Sequence, residues 1–450
     1  MREHSGLLTD LYELTMAAGY LQTRFEADAT FELFVRHLPP HRNYLVAAGL
    51  EQALDFLENV HFTPEEISYL RRHPAFRHIR GEFFDYLATF RFTGDVWAMP
   101  EGTLVFPGEP MLRVHAPIIQ GQIMETYLLS TLSYQTMIAS KAARVVTAAQ
   151  GRQVVEFGAR RAHGPLASLM AARAASIGGC QGTSNVLAGQ FFGIDVYGTQ
   201  AHSWVMAHEN EAEAFRQFLD AFPEHSVLLL DTYDVRNAVK KIISMGRKPA
   251  GVRLDSGDLT KDSRWVRRQL DGAGWKDVKI FASGDLDEAR ITELLAKGAA
   301  IDAFGVGTAL ATPGDAPHLN LIYKLVVVER DGKLRGAAKL SRAKVTYPGR
   351  KQVFRDSAAN GEWKRDRISL DGEPPNGGAP LLIEVMRGGK RLAPPEPICR
   401  LRDRCMAGLA RLPKKYRGLG RSAAYPVLYS KRLESMLEKV RRRIRRSALK

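Results

Sequence analysis

The sequence contains few cysteines and no long run of hydrophobic residues. Three cysteines among 450 residues argue against a disulfide framework and favour a reducing compartment. No uninterrupted apolar stretch approaches the ~18 residues that a membrane-spanning helix requires. The first residues also lack the apolar core of a signal peptide. We therefore expect a cytoplasmic protein without a membrane partner.

Acidic residues are scarce only near the C-terminus. The chain carries 64 Lys and Arg against 49 Asp and Glu, a net charge of +15. Residues 387–450 hold 20 of the basic residues and four of the acidic ones, so the preceding 386 residues are close to neutral. The C-terminal segment is thus the part of the chain suited to bind a polyanion. The run Lys439-Val-Arg-Arg-Arg-Ile-Arg-Arg446 could contact phosphates, but it lacks interleaved aromatic residues and any known reading motif, so nucleic acid is a disfavoured alternative as the main partner.

A hydrophobic stripe runs through this basic segment. Apolar residues spaced mostly three or four apart predict one amphipathic helix from Leu428 onward. They are Leu433, Met436, Leu437, Val440 and Ile444. We expect this apolar stripe to dock on the rest of the protein and to leave the basic face outside.

The chain length fits two domains, or one barrel with additions. We predict an N-terminal α/β domain over 1–150, an α/β barrel catalytic domain over 151–330, and a segment over 331–450 that returns to the first domain. In the middle region short apolar strands alternate with helices, which is typical of a parallel sheet. The expected strands cover residues 154–157, 194–198, 227–230, 251–254, 278–282 and 301–306. A barrel is favoured over an open doubly wound sheet because the run is long.

Polar and glycine-rich loops follow these strands, at the end where parallel α/β proteins bind ligands. Gly, Ser and Thr in the last three loops would let backbone N–H groups approach phosphate oxygens. Asp255, Asp258 and Asp285 suit sugar hydroxyls or a phosphate-bound Mg²⁺. Phe157 offers a stacking surface, and Arg160 or Arg161 offers a counter-charge for an anion. The loops together predict an anionic aromatic substrate that meets a phosphorylated sugar.

Several longer motifs occur in order along the chain. They are Leu7-Leu-Thr-Asp-Leu-Tyr12, Glu156-Phe-Gly-Ala-Arg-Arg161, Gly182-Thr-Ser-Asn-Val-Leu-Ala-Gly189, Gly198-Thr-Gln-Ala-His-Ser203, Val252-Arg-Leu-Asp-Ser-Gly-Asp-Leu259 and Lys344-Val-Thr-Tyr-Pro-Gly-Arg-Lys-Gln352. With these motifs the sequence resembles the nicotinate phosphoribosyltransferases, the salvage enzymes that start NAD synthesis from nicotinic acid. The resemblance covers most of the chain.

The resemblance implies a fold and a reaction. The fold would be that of the type II phosphoribosyltransferases: an irregular TIM-like α/β barrel plus an α/β domain built from both chain ends. The reaction joins nicotinate to 5-phosphoribosyl 1-diphosphate, giving nicotinate mononucleotide and diphosphate. It uses Mg²⁺ and is coupled to ATP hydrolysis through a phosphohistidine. Family members form homodimers with their sites at the interface.

Residue roles are implied motif by motif. An isolated histidine is more often structural than catalytic, but within its motif His202 would be the phosphohistidine. Asp255 would hold the ribose as the second catalytic residue. Tyr12, from the partner subunit, and Phe157 would sandwich the pyridine ring. The other implied substrate-binding residues are Arg160, Thr199 and Arg253 around nicotinate, Gly284, Asp285, Gly307 and Thr308 around the 5-phosphate, and Ser256.

The nearest alternative is a nicotinamide phosphoribosyltransferase. Members of that sibling group carry an aspartate in the stretch that matches Gly182-Thr-Ser-Asn185, where this chain has Ser184 and Asn185. A carboxylate there would repel nicotinate, so its absence favours the acid as substrate. No protein-ligated metal site is predicted, since Cys399 and Cys405 lack further local ligands.

Overall fold

The computed structural model describes residues 4–341, 345–420 and 422–448, so Lys344 of the last motif lies outside the described residues. The chain forms two compact units. Unit 1 comprises Met1–Met137, His318–Glu396 and Ala407–Lys450, and unit 2 comprises Ile138–Pro317 and Pro397–Met406. The domain boundaries expected at residues 150 and 330 stay a prediction. No helix of the described ranges is long and apolar enough to cross a membrane.

The described residues before Gly151 form six α-helices, a short 3₁₀ helix (Pro74–Phe76) and five strands. The helices are α1 (Leu11–Gln22), α2 (Leu50–Asn59), α3 (Pro64–Arg72), α4 (Gly81–Ala88), α5 (Ile118–Ile123) and α6 (Glu125–Ala148). The strands are β1 (Asp28–Val35), β2 (Leu45–Val46), β3 (Asp95–Ala98), β4 (Leu104–Val105) and β5 (Pro110–Pro117). Residues 95–117 form three separate strands rather than one, because Pro100 and Pro107 lie between them and have no backbone N–H to donate.

Unit 2 is built from strands that alternate with helices. In chain order they are β6 (Gln153–Glu156), α7 (Pro165–Ile177), β7 (Gly182–Thr183), α8 (Val186–Phe192), α9 (His202–Met206), α10 (Glu211–Ala221), β8 (Val227–Leu229), α11 (Val235–Ser244), β9 (Gly251–Leu254), α12 (Leu259–Gly272), β10 (Lys279–Ala282), α13 (Glu288–Ala296), β11 (Ala303–Val306) and α14 (Thr308–Ala311). The strands pair in parallel, in the order β7-β6-β11-β10-β9-β8. Three of the helices begin at an aspartate whose carboxylate accepts a backbone N–H, which fixes where each loop ends: Asp234, Asp258 and Asp287.

An irregular segment joins the two edges of this sheet. The strand predicted over residues 194–198 forms only a single bridge, between Val196 and Thr183, while residues 182–183 form the unpredicted strand β7. Gln200 then donates its N–H to Val227 O (3.0 Å), and its side-chain Oε1 accepts from Leu229 N (3.2 Å). Residues 194–200, called the closing segment below, therefore contact both β7 and β8. The sheet closes into an irregular α/β barrel, as predicted.

The rest of the chain belongs to unit 1, except for Pro397–Met406, which belongs to unit 2. Its elements are β12 (Leu321–Arg330), β13 (Lys333–Gly336), β14 (Lys351–Ser357), β15 (Trp363–Leu370), β16 (Ala379–Pro380), β17 (Ile383–Arg387), β18 (Lys390–Arg391), α15 (Ile398–Arg411), β19 (Val427–Tyr429) and α16 (Lys431–Ala448). One sheet has the order β13-β12-β1-β5-β3-β17-β18, in which β12 pairs along the whole of β1. A second sheet has the order β16-β14-β15-β19. Both chain ends thus build one α/β unit, as predicted.

The C-terminal helix α16 docks through its apolar stripe. Leu433, Leu437 and Val440 are buried, and Met436 lies against Gly336 and Gly349 of the same unit. This packing confirms the predicted docking and fixes which face of the helix meets solvent.

Candidate active site

The guanidinium of Arg253 is the centre of a hydrogen-bonded group at the carboxyl ends of the barrel strands. Arg253 follows Val252 in β9, and its side chain is largely buried. It donates from Nε to Ser283 Oγ (2.7 Å), from Nη1 to Thr199 Oγ1 (2.8 Å) and from Nη2 to Asp255 Oδ1 (2.6 Å). A planar guanidinium held at three points has one orientation, which preorganises its charge for an anionic ligand.

Asp255 links this group to the neighbouring loops. Its Oδ1 also accepts from Ser283 Oγ (2.6 Å). Burial alone would raise the pKa of this carboxyl, but the Ser283 hydrogen bond, the Arg253 charge and nearby His202 together hold it below its usual value. Asp255 therefore stays ionised and can accept hydrogen bonds from sugar hydroxyls. Its pKa also excludes Asp255 as a proton donor near neutral pH.

Asp231 supports the loop that carries Asp255. Asp231 Oδ2 accepts from Asp255 N (3.0 Å) and from Ser256 Oγ (2.5 Å). Its other oxygen, Oδ1, is buried and has no hydrogen-bond partner among the described residues. A buried carboxylate oxygen without a donor is costly, so this atom has capacity for a ligand.

His202 is the first residue of α9, and only Ala201 separates it from the closing segment. Its Nδ1 shares a hydrogen bond with Thr232 Oγ1 (3.2 Å), and its Nε2 lies 3.7 Å from Asp255 Oδ2. The side chain is 42% exposed. His202 thus faces the carboxylate group rather than the barrel interior, and a neutral imidazole in this position can act as a nucleophile.

The loop after β10 has a backbone that only glycine tolerates at one position. Gly284 has φ +85°, and a Cβ placed there would lie 1.9 Å from Asp255 O. Asp285 follows with φ +43°, a left-handed conformation that is uncommon for a side-chain-bearing residue. Both residues are exposed. The loop holds backbone strain beside Asp255, and such strain clusters at ligand sites.

Phe157 forms the aromatic side of the site. Its ring stacks on Phe281 with centroids 5.5 Å apart, and Arg253 Cζ lies 5.9 Å from the Phe157 centroid. The preceding residue, Glu156, is buried and accepts from Thr183 Oγ1 (2.6 Å) and from Gly158 N. Burial raises the pKa of the Glu156 carboxyl. Glu156 thus holds the Phe157 loop against β7.

Gly307 and Thr308 lie beside the same loop. Gly307 is the residue between β11 and α14, and a Cβ there would lie 3.1 Å from Phe157 O. Thr308, the first residue of α14, is exposed. Gly307 therefore packs closely against the backbone of Phe157, where a side chain would have little room.

Two predicted site residues lie outside the Arg253 group. Arg160 is exposed on the 3₁₀ turn Ala159–Arg161. Tyr12 belongs to unit 1, where its side chain is 45% exposed on α1. Its neighbour Glu13 is buried and accepts from Thr126 Oγ1 (2.6 Å), and burial raises the pKa of Glu13 to about 8. This anchoring of α1 leaves Tyr12 on the outer face.

Sequence reasoning missed three residues of the site: Ser283, Asp231 and Thr232. All three lie in loops that the sequence analysis had placed at the ligand-binding end. The available signal was position, because Asp231 and Ser283 each come one or two residues after a predicted strand. Nothing in the spacing indicates that Ser283 bridges Arg253 and Asp255 or that Thr232 contacts His202.

The residues at this end of the barrel fit a bound Mg²⁺. Hard oxygen ligands are what Mg²⁺ prefers, and it is commonly held by one or two carboxylates together with substrate phosphates. Asp231 Oδ1 is a buried carboxylate oxygen without a hydrogen-bond partner in the described residues. The same residues contain no cluster of three or more His, Cys, Asp or Glu suited to a metal. The residues therefore suit a Mg²⁺ that takes one carboxylate ligand from the protein and its other oxygen ligands from the substrate.

Two family models match the chain. The model of the nicotinate phosphoribosyltransferase N-terminal domain matches residues 7–133, and that of the nicotinate phosphoribosyltransferase family matches residues 152–366. The chain belongs to the nicotinate phosphoribosyltransferase family. It is an enzyme with the activity of that family, in NAD salvage. The predictions of family and activity are confirmed.

Relatives and solved structures agree with this membership. The chain is 45% identical to a nicotinate phosphoribosyltransferase of Mycobacterium tuberculosis, over 98% of this chain and 95% of the relative. It is 44% identical to the Bacillus subtilis enzyme, over 82% of this chain and 77% of the relative. The crystal structure of human nicotinic acid phosphoribosyltransferase superposes with a TM-score of 0.82 at 29% identity, covering 96% of this chain and 99% of that one. The fold of this family member is the predicted type II phosphoribosyltransferase fold.

Proposed function

We propose that the nicotinate ring binds against Phe157 with its carboxylate at Arg253, and that 5-phosphoribosyl 1-diphosphate binds along the loops after β9, β10 and β11. The observation that carries this proposal is the triple anchoring of Arg253 beside the Phe157 ring. A ring stacked on Phe157 gains dispersion and quadrupole energy and keeps its nitrogen free. An ion pair to Arg253 then fixes the direction in which that nitrogen points.

The transfer itself needs orientation more than proton transfer. The pyridine nitrogen attacks C1 of the ribose, the N–C1 bond forms, and the C1–O bond breaks with its electron pair leaving on the diphosphate. Asp255, ionised because of Arg253 and Ser283, accepts hydrogen bonds from the ribose hydroxyls. Bound Mg²⁺, held through Asp231, supplies positive charge for the diphosphate. Fixing both reactants in one geometry supplies much of the rate enhancement.

The 5-phosphate belongs at the backbone of the Gly284 and Gly307 loops. The exposed backbone at Gly284, Asp285 and Thr308 offers N–H groups, and glycine at 284 and 307 allows close approach. Ser256, whose hydroxyl is anchored on Asp231, lies in the adjoining loop as a further substrate-binding residue. Arg160 would add a second positive charge near the nicotinate carboxylate.

ATP hydrolysis is coupled to transfer through His202. Its Nδ1 is oriented by Thr232, so Nε2 on the Asp255 side is the nucleophile for the γ-phosphoryl group. The P–N bond forms as the bond to ADP breaks, and water later releases the phosphate. The proposal for ATP rests on this geometry together with the family membership.

The active species is a homodimer in which a second copy contributes Tyr12. Three apolar side chains on α8 support an interface there: Val186 is 72% exposed, Leu187 50% and Phe191 69%. Exposed apolar residues grouped on one short helix mark an association surface. A closed dimer would use the same surface of both copies.

Substrate preference tests the proposed pocket. Nicotinate should be preferred over nicotinamide by at least ~100-fold in kcat/KM, because the amide cannot pair with Arg253 and leaves that charge without its anion. Ser184→Asp should reduce the preference for nicotinate, because it adds a carboxylate near the substrate. Ser184→Asn, which has the same shape as Ser184→Asp but no charge, should leave the preference unchanged. The measurement is mononucleotide formation with each base at saturating phosphoribosyl donor. Equal turnover of the two bases by the unmodified enzyme would contradict the pocket assignment.

Subunit mixing tests the proposed dimer. Tyr12→Ala protein and His202→Ala protein should each lack ATP-coupled transfer, and a mixture should recover part of it through hybrid dimers with one intact site. Each variant incubated alone under the same exchange conditions is the control. Absence of recovery, despite subunit exchange shown by a mass tag, would place Tyr12 outside the partner's site.

A further inference from the structure

Helix α16 carries a row of cations that the proposed catalytic function does not use. At about 100° per residue, Arg432, Lys439, Arg443 and Arg446 fall within about 60° of the helix circumference. All four side chains are exposed. These four residues are called the basic stripe below. It is one exposed part of the positive charge that the sequence concentrates after residue 387.

The acidic residues of α16 lie on its other flank. Glu434 and Glu438 are its only acidic residues, and Glu438 Oε1 pairs with Arg441 Nη1 (2.5 Å). The docked apolar residues separate the two flanks on the inner side of the helix. The four residues of the basic stripe therefore share one charge sign, and both acidic residues of α16 lie on the other flank of the helix.

Strand β13 extends the positive surface. Met436 and Val440 of α16 pack at Gly336, and Arg443 Nη2 donates to Gly336 O (2.6 Å). Arg335 precedes this glycine and is exposed. Burial and the neighbouring charge of Arg335 lower the pKa of Arg443, as expected where two cations are held close together. Like charges placed side by side by a fixed fold favour an anionic partner.

We propose that the basic stripe binds the phosphate backbone of nucleic acids without reading their sequence. The stripe spans about 21 Å at 1.5 Å per residue, a length over which duplex DNA presents about a dozen phosphate charges. Three of its four residues are arginines, whose guanidinium pairs with phosphate in two parallel hydrogen bonds. The stripe contains no aromatic side chain to stack on bases, so contact is limited to the backbone.

The docking of α16 argues against a lipid surface as the partner. A helix that binds a bilayer inserts its apolar face between the lipids. The apolar residues Leu433, Leu437 and Val440 are already buried in the protein, which leaves Ile444 as the exposed apolar side chain of the described part of α16. Charge alone would then hold the protein to a membrane, whereas a nucleic acid offers a row of phosphates matched to the stripe.

The test compares two charge-reversed variants of the full-length protein. One is Arg432→Glu, Lys439→Glu and Arg446→Glu, which leaves Arg443 on Gly336. The other, Arg216→Glu, Lys240→Glu and Lys276→Glu, makes the same net change at exposed positions of unit 2. Binding is measured by fluorescence anisotropy with a random-sequence single-stranded RNA and a random-sequence duplex DNA. Vesicles with 30% anionic lipid form a third arm.

The unmodified protein should bind both nucleic acids, with a log K against log salt slope of about −3 to −4 for four phosphate contacts. The stripe variant should lose at least ~50-fold in affinity at 0.1 M salt, and its slope should shrink accordingly. The unit 2 variant should keep its affinity within about threefold, and both variants should keep transferase activity and thermal midpoint. If the stripe variant does not fold, the same three positions changed to glutamine should show a smaller loss in the same direction.

Three results would overturn the proposal. The first is equal nucleic-acid binding by the stripe variant and the unmodified protein. The second is an equal loss in both variants, which would assign binding to net charge alone. The third is stripe-dependent binding to the anionic vesicles without binding to either nucleic acid, which would make a membrane surface the partner. Because transferase activity is measured separately, failure here leaves the catalytic proposal standing.

Discussion

Replacing Arg253 with alanine should lower kcat/KM for nicotinate by about 10³-fold. The change removes the cation proposed to pair with the substrate carboxylate, and it also leaves Asp255, Ser283 and Thr199 without their common donor. Arg253→Lys should recover little, because one ammonium cannot reach three acceptors in different directions. The measurement is steady-state mononucleotide formation, with Arg268→Ala, an exposed residue of α12, as the matched control.

The nicotinamide reaction separates two roles for Arg253. If Arg253 pairs with the nicotinate carboxylate, Arg253→Ala should lose much less activity with nicotinamide than with nicotinate. The preference for nicotinate over nicotinamide should then decrease. An equal loss with both bases would mean that Arg253 only holds Asp255 and the loops in place. The pKa of Asp255 should rise in either case, because the cation that lowers it is gone.

Replacing His202 with alanine should abolish nicotinate-stimulated ATP hydrolysis and keep a slower transfer that does not depend on ATP. The remaining Phe157 ring, Arg253 and the phosphate-binding loops would still align the reactants. The thermal midpoint should change little, since the side chain is 42% exposed and contributes a single hydrogen bond among the described residues, with Thr232. Phosphate on the unmodified protein should be acid-labile and alkali-stable, as a P–N bond is.

His208 provides a matched control for this experiment. It lies two residues after α9, and both of its ring nitrogens are engaged, with Trp204 O (2.7 Å) and Gln217 Oε1 (3.1 Å). His208→Ala should therefore keep ATP coupling. If the His202→Ala protein keeps ATP coupling, the assignment of His202 as the phosphohistidine is falsified. If the His208→Ala protein loses ATP coupling instead, His208 becomes the candidate phosphohistidine.

Much of the barrel could be predicted from the sequence, because its strands are short apolar runs followed by polar loops. The strand over residues 251–254 agrees with the structure at both ends. The failure at 194–198 has a physical cause, since pairing there depends on residues 182–183, which are too few and too small to give a strand pattern. Strand identity at that edge is set by tertiary contacts rather than by local propensity.

The same reasoning located the site but not its internal contacts. The loop position after a parallel strand identified Asp255 as a candidate, and the family resemblance added Arg253 and Gly284. The structure brings these three residues together. Which hydroxyl bridges them depends on loop geometry, and Ser283 became visible only with its distances to Arg253 and Asp255. The sequence therefore predicts which polar residues lie at the carboxyl ends of the barrel strands, but not which of them form hydrogen bonds with one another.

The closing segment has a consequence for the solubility of the chain during folding. Without residues 194–200, β7 and β8 would each present unpaired backbone N–H and C=O groups, the usual template for aggregation between chains. The segment that covers those edges also carries Thr199 and leads into His202. Insertions or deletions in this segment would lower the catalytic activity. Independently, they would expose the backbone edges of β7 and β8 to aggregation with other chains. A change in this short stretch can therefore reduce the yield of folded protein as well as its activity.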